Sequence, residues 1–417
     1  MMAMIVAAST APAPPAALAQ TEGGRAYVTS WGGDSVSVID LATNAVVATI
    51  PVGDQPMGVA VTPDATRAYV TNQRSNSVSV IDTATNAVVA TVPVGESPQG
   101  IRVNPSGTEV WVANAFAGGV SVIDTATNTV IATVAVSRFA HDVAFLPDGS
   151  RAYVSTQVGD VSVVDTATRA VVATIDVGDS LWGIEVLPDG SKIYVAHLIA
   201  TDVAVIDPAT NTVVKSIPVG AHPQGLAVSP DGSRIYVGDL ASGLWVIDTA
   251  SDTATRAEAL SGAIDVEVSP GGDRIYVTHS SGVAVIDAAT LALVDSVALG
   301  GYTQAIAITA LRRPVIGGST WFSSGAKARS GPAGSTVALY AVGATPNVPY
   351  RLVLSRTSAC ADLVAFVNPT TVSAGPNGLI GTVRGTIPAG TPAGTYWLCF
   401  RHTAGATATG VVTFTVH

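Results

Sequence analysis

Ionisable side chains that could form a site recur at long intervals in the middle of this sequence. His141 and Asp142 are adjacent, Glu185 comes 43 residues after Asp142, and Asp265 and Glu267 follow near residue 266, with His197, Asp239 and His279 between or just beyond them. The carboxylates Asp142, Glu185, Asp265 and Glu267 are the hard oxygen donors that a divalent cation requires. A histidine or aspartate beside them, His141, His197, His279 or Asp239, would polarise water or serve as a general base. No helix face or single hairpin joins residues so far apart, so this chemistry needs an architecture that returns to one place at each interval. Other reactive groups offer less: His222 sits in the loop sequence Gly220-Ala221-His222-Pro223, and His402 and His417 lie near the chain end. The absence of a Gly-x-Ser-x-Gly elbow, a P-loop and a Gly-x-Gly-x-x-Gly argues against nucleotide cofactors, and without Cys-x-x-Cys-His no covalently attached haem is expected.

The chain does return at regular intervals. One aromatic recurs as Tyr27, Tyr69, Trp111, Tyr153, Tyr194, Tyr236 and Tyr276, at spacings of 42, 42, 42, 41, 42 and 40. An aspartate ending a Val-x-Val-[Ile/Val]-Asp run keeps step with it: Asp40, Asp82, Asp124, Asp165, Asp207, Asp248 and Asp287. Each copy holds four short apolar segments, for example 58–61, 67–70, 78–81 and 88–92, here named strands A to D. Four strands in this length predict the blade of a β-propeller. Pro-Asp-Gly-Ser and its variants, from Pro63 to Gly272, predict A–B hairpins with a left-handed glycine. Asp-Thr-Ala-Thr-Asn, as in Asp82 to Asn86, predicts a C–D turn whose aspartate accepts backbone N–H groups and whose asparagine takes positive φ. The seven aspartates are therefore structural. The first copy begins at strand B, Arg25 to Val28, and its missing strand A reappears at Ala305 to Thr309. Pairing the two predicts a ring of seven four-stranded blades with no open edge.

Such a ring gathers equivalent residues around one channel mouth, where strand A begins and strand B ends. The residue closing strand B runs Ser30, Asn72, Asn114, Thr156, His197, Asp239, His279. The residue before strand A runs Met57, Gln99, His141, Trp182, Gln224, Ile264, Gln304, and the next one Gly58, Gly100, Asp142, Gly183, Gly225, Asp265, Ala305. Alternation along strand A turns a further column to the channel: Ala60, Arg102, Ala144, Glu185, Ala227, Glu267, Ala307. The ionisable members concentrate in one sector, with Arg102 as the one cation among four carboxylates.

Tyr69-Val70-Thr71-Asn72, followed by VSVIDTATNAVVATVPVG, resembles the YVTN family of β-propeller repeat proteins over about 285 residues. The resemblance implies the propeller fold and an exported or cell-surface protein. The same scaffold is similar to that of lactonases, antibiotic-inactivating lyases and the non-catalytic subunits of amine dehydrogenases.

The flanks read differently. Residues 1–23 contain Ala17-Leu18-Ala19 before Gln20, as at a signal cleavage site, while Pro12, Pro14 and Pro15 preclude a spanning helix. Residues 24–310 are the expected propeller. Residues 311–417 carry six strand-like runs between Gly/Pro turns, as in an immunoglobulin-like β-sandwich, and Cys360 and Cys399 are expected to form a disulfide. Closing that loop of about 40 residues would stabilise by roughly 4 kcal/mol. Charged residues are 12% of the chain and its net charge is −10, with Lys192, Lys215 and Lys327 the only lysines, so it has no electrostatic footprint for nucleic acid. The expectation is an all-β, secreted, periplasmic or cell-surface binding protein that presents a polar propeller face to a protein, glycan or small ligand. The alternative is a metal-assisted, lactonase-like hydrolase or lyase that uses the His/Asp sector and a divalent cation.

Overall fold

The computed structural model describes residues 24–309, apart from 117, 118, 258, 259 and 261, and beyond them the backbone of eight strands between Ser323 and Val416. The leader expected within 1–23 lies outside the described residues, as does Cys360 and with it the expected disulfide. The eight later strands form a three-stranded and a five-stranded sheet.

Residues 24–309 form seven four-stranded sheets, each in A-B-C-D order and antiparallel throughout. Six blades are contiguous in sequence. The first is closed by strand A from the far end, Thr303–Thr309, whose residues pair Ile306 with Val28, Ala307 with Tyr27, Ile308 with Ala26 and Thr309 with Arg25. Each B and C strand is buried along nearly its whole length, since both of its faces pack against neighbouring blades. The outermost D strands keep exposed valines, as at Val88–Val89 and Val171–Val172.

At several of their contacts neighbouring blades are clamped by the recurring aromatic. Tyr27 donates its hydroxyl to Asn86 Oδ1 of the next blade at 3.2 Å, and Tyr69 does the same to Asn128 at 3.0 Å. The basic residue two places earlier adds to the clamp, since Arg25 donates to Thr83 O and Asn86 Oδ1. Those asparagines sit at the left-handed corner of the C–D turn, with φ of 53° and 54°. The turn is held by its aspartate: Asp82 Oδ1 accepts Ala84 N, Thr85 N and Thr85 Oγ1. These bonds hold Asp82 below the usual carboxylate range, the Thr85 amide contributing most. The turn threonine is fixed as well, because Thr83 donates to Ala65 O and Thr125 to Gly107 O, joining the A–B and C–D turns.

One clamp is inverted. Glu109 stands where the other blades have Arg or Lys, Trp111 replaces tyrosine, and Arg169 replaces the next blade's asparagine. Glu109 accepts from Trp111 Nε1 at 2.9 Å and from Arg169 at 2.7 Å. Charge has exchanged sides while the contact persists. A double-mutant cycle with Glu109→Ala and Arg169→Ala should give a coupling of about 0.5–1 kcal/mol in urea unfolding, since both groups are partly exposed. Additive single losses would show that the pair is incidental.

The A–B turns place Gly107, Gly149, Gly190, Gly232 and Gly272 at φ of 72–75°, where an L-residue is penalised, yet the second blade has Ala65 there at 57°. Ala65→Gly should therefore stabilise by about 0.5–1 kcal/mol, and Gly107→Ala should lose a similar amount, as read from chemical denaturation midpoints.

Candidate functional site in the central channel

Strand A carries a register shift just after its start in several blades, between Pro56 and Val59, Pro98 and Ile101, Ala140 and Asp142, Leu181 and Ile184, and Pro223 and Leu226. Such a bulge turns consecutive residues toward the axis and removes a ladder partner from the backbone. The threonine of Tyr-Val-Thr-Asn supplies the partner: Gly58 N donates to Thr71 Oγ1 at 2.8 Å, and that hydroxyl donates to Gln99 O of the next blade at 2.7 Å. Ser155 relays Asp142 N to Trp182 O, and Thr278 relays Asp265 N to Gln304 O. The same bond thus locks two blades together and fixes where each channel residue starts.

The seven A strands enclose a cavity of ≈ 420 Å³ that runs down the axis. Met57, Gln99, His141, Trp182, Ile264 and Gln304 line its mouth, Asp142 and Asp265 the level below, and Arg102, Glu185 and Glu267 the next. The two aspartates are set into the wall. Asp142 accepts Val143 N at 2.8 Å and Ile184 N of the next blade at 3.3 Å, and Asp265 accepts Ile306 N of the closing strand at 3.0 Å. Each needs glycine beside it, for a Cβ on Gly100 would come 2.5 Å from Asp142 Oδ1 and one on Gly225 2.3 Å from Asp265 Oδ1. Arg102 spans from the third blade to the fifth, donating to Glu185 at 2.8 Å and to Val143 O at 3.2 Å on the way. Its side chain remains 35% exposed to the cavity, and that of Glu185 16%.

Removal from bulk water dominates the protonation of these acids. Burial pushes Asp142 up to about 6, Asp265 to about 7 and Glu267 to about 8, with Arg102 pulling Asp142 and Glu267 partway back. Glu185 pulls Arg102 the other way, holding its guanidinium charged. At the mouth His141 is 7% exposed, its ring 3.9 Å from that of Trp182, and neither ring nitrogen has a hydrogen-bond partner. Burial lowers its pKa to about 4, partly offset by the nearby Trp182 backbone, so the imidazole is neutral.

The column that closes strand B goes elsewhere. His197 is buried between Asp202 Oδ1, 2.6 Å from Nδ1, and Val177 O, 3.2 Å from Nε2. Asp239 accepts the amides of His222 and Ala241 at 2.6 and 3.1 Å and the amide and hydroxyl of Ser242. Asn72 accepts Gly53 N, and Ser30 donates to Gly300 O. These side chains grip the loop arriving from the preceding blade and do not line the cavity. His279 is half-buried, lies 3.3 Å from Ser281 Oγ, and is shifted down by burial. His141 is thus the histidine that lines the cavity, together with Asp142, Glu185, Asp265 and Glu267. His222 lies on an exposed loop with Nδ1 3.1 Å from Leu198 O. Trp182, which is not among the expected site residues, stands out as the aromatic of its column.

A divalent cation does not suit this arrangement. Among the described residues no three His, Cys, Asp or Glu side chains converge as a metal site requires. Asp142 and Asp265 direct oxygens at backbone amides of the wall and Glu185 faces Arg102, so the donors point apart.

Residues 61–151 match the family model of the YNCE-like beta-propeller. No curated protein matches the chain. Among solved structures it is similar to hydrazine synthase of Kuenenia stuttgartiensis, 25% identical with a TM-score of 0.59, the match covering 64% of this chain and 93% of that one. It is also similar to the dihydro-heme d1 dehydrogenase NirN in complex with DHE, 16% identical with a TM-score of 0.53, over 71% of this chain and 77% of that one. A functionally unknown protein from Desulfotomaculum acetoxidans DSM 771 is 18% identical with a TM-score of 0.59, over 68% of this chain and 98% of that one. At these identities the likeness to the last two is one of fold.

The raised carboxyl pKa values give stability a definite slope with pH. Between pH 6.5 and 8 the unfolded acids have lost their protons while folded Asp265 and Glu267 still hold theirs in part, so stability falls as pH rises. The drop should be on the order of 1–2 kcal/mol across that window and should largely vanish in Asp265→Asn/Glu267→Gln, measured by urea midpoints at both pH values. His141 acts in the opposite sense at the lower edge of this window, where the unfolded imidazole is still partly protonated and the folded one neutral, but adds only about a few tenths of a kcal/mol. A wild-type slope that persists in the double variant would place the effect elsewhere.

Proposed function

We propose that this is an exported binding protein that receives its ligand or partner on the propeller face where the channel mouth opens. The observation that carries this reading is the contrast between the two faces. On one, the A–B and C–D turns repeat a single polar design, as in Asp148–Gly149–Ser150, Asp189–Gly190–Ser191 and Asp231–Gly232–Ser233. On the other, no two B–C turns are alike, and Trp31, Phe116, Val158, Ile199, Leu240 and the nearby Tyr302 stand 36–67% exposed. A turn kept only for folding has no reason to leave the common pattern, and exposed apolar side chains grouped on one face mark an interaction surface. Phe116 packs edge-on against Phe139 at 5.8 Å, with Arg138 5.3 Å above the latter ring, an aromatic and arginine grouping common in binding hot spots. The two sheets within 323–416 would supply the attachment domain, as a β-sandwich beside the propeller. A hydrolytic role has less support, since His197 and Asp239 are engaged in the blades and, among the described residues, no three His, Cys, Asp or Glu side chains converge.

The test is a screen of the purified chain on protein and glycan arrays, repeated with Trp31→Ala/Phe116→Ala/Ile199→Ser and with Asp148→Ala/Asp189→Ala on the opposite face. Each hit should weaken at least about tenfold in the first variant and stay unchanged in the second. Binding that tracks the second variant alone, or ester or lactone turnover without stable binding, would overturn the proposal.

A further inference from the structure

The outer rim of the ring, where the D strands lie, carries a second apolar surface. Among the described residues twelve exposed large hydrophobics stand on D strands, twice the six grouped around the channel mouth. In six blades the ladder between strands C and D shifts, as where Ile81 pairs with Val88 but Val80 with Ala90, and one residue is left over: Val47, Val89, Ile131, Val172, Val214 or Val294. Such a bulge re-aims the side chains of its strand. Each left-over residue is 45–57% exposed and follows another exposed valine or, in the seventh blade, Leu293.

The sixth blade shows that folding does not require this pair. Its D strand, Thr253–Ala257, meets strand C without a shift, sets Ala254 opposite Ile247 where Val88 stands opposite Ile81, and lacks the extra residue. Nor is the rim shaped for strand addition, because bulges interrupt six outer edges and the exposed prolines Pro51, Pro93 and Pro218 end three of them. The rim thus offers side chains and withholds backbone.

Charge decides what can cover it. The chain has a net charge of −10, yet the D strands of the first three blades, Ala45–Pro51, Ala87–Pro93 and Thr129–Ala135, hold no charged residue. Further round the rim Lys215 donates to Ser251 O, Arg256 to Ser242 O, and Asp295 accepts from Asn44, so these charges are tied back, while Asp176 is exposed at the end of its strand. We infer that the rim of the first three blades, with Val47, Val89 and Ile131 as its most exposed points, is where a second copy of this chain docks side by side. About a two-fold axis this arc is its own complement, and two molecules of like net charge meet where neither brings a charge. A strongly charged partner gains no ion pair from such a surface. Two rings set edge to edge share few strands, so the contact falls in the weak class that buries less than about 1,200 Å². The turn aspartates Asp40, Asp82 and Asp124 pair with the strand ends at Ala45, Ala87 and Thr129 and so flank the arc, which makes the contact tighten as salt screens them.

Sedimentation velocity of the full chain from about 5 to about 500 µM tests this, and should show a monomer–dimer equilibrium with a Kd of about 100 µM. Ammonium sulfate at about 0.5 M should tighten it at least about threefold, by screening charge and strengthening apolar burial. Val47→Thr/Val89→Thr/Ile131→Thr keeps a β-branched residue at each site, so it should unfold in urea at the parent's midpoint and yet dimerise at least about tenfold more weakly. Val172→Thr/Val214→Thr, beyond the uncharged arc, should weaken dimerisation by less than about threefold, and so should the channel-mouth variant Trp31→Ala/Phe116→Ala/Ile199→Ser. A chain that stays monomeric at the highest concentration in ammonium sulfate overturns the inference, as does a dimer that the triple threonine variant leaves intact or that either control variant abolishes. The rim lies apart from the channel mouth, so none of these outcomes bears on the ligand screen of that face.

Discussion

The contact between one blade and the next is the constraint on which this ring depends. A four-stranded sheet of this size cannot bury its faces alone, so every blade needs two neighbours, and the clamp from the start of strand B to the neighbouring left-handed turn sets their spacing. Asp82 holds the turn, the turn holds Asn86, and Asn86 receives Tyr27 and Arg25. The exchange of Glu109 and Arg169 shows that what matters is complementarity at this point and not a particular residue. Closure by Thr303–Thr309 gives strand B of the first blade its missing partner and joins the ring at its last gap.

The channel follows from the clamp. Once blade spacing is fixed, seven A strands converge on one axis, and the bulge with its threonine relay brings their backbones close enough that glycine is required beside each aspartate. Carboxyl groups placed there are drawn away from bulk water and face only the cavity. The energetic cost of those acids is therefore a property of the ring as a whole. A fold optimised for stability alone would place alanine or glycine in those columns, as most positions in them are, and the exceptions, in the third, fourth, fifth and seventh blades, all face the same cavity.

The two faces differ for a related reason. The C–D turns carry the aspartate that holds each turn and, in most blades, the polar residue that meets the next clamp, so their design is tightly constrained. The B–C turns have no such duty, and they are free to hold Trp31, Phe116 or Ile199. Function has room only where the clamp does not reach, together with the channel wall that the clamp encloses.

Repetition made the blades, their strands, the left-handed asparagines and the Ala305–Thr309 closure readable from the sequence, because each depends on local periodicity or on a strand missing at one end and present at the other. The same reasoning placed Asp142, Glu185, Asp265 and Glu267 toward the axis, since alternation in strand A is a local property. It failed for His197 and Asp239: a column position says which level of the blade a residue occupies, not whether it turns inward to the channel or sideways to the incoming loop. The Glu109–Arg169 exchange is visible in the columns only once residues about 60 apart are known to touch. The sequence by itself thus determined the ring and its repeat, because hydrogen bonding and burial in each blade are local. Which acids lost their water, which histidine was left without a partner and how Arg102 crosses the channel were decided only by tertiary structure, since burial and pairing at the axis depend on all seven blades at once.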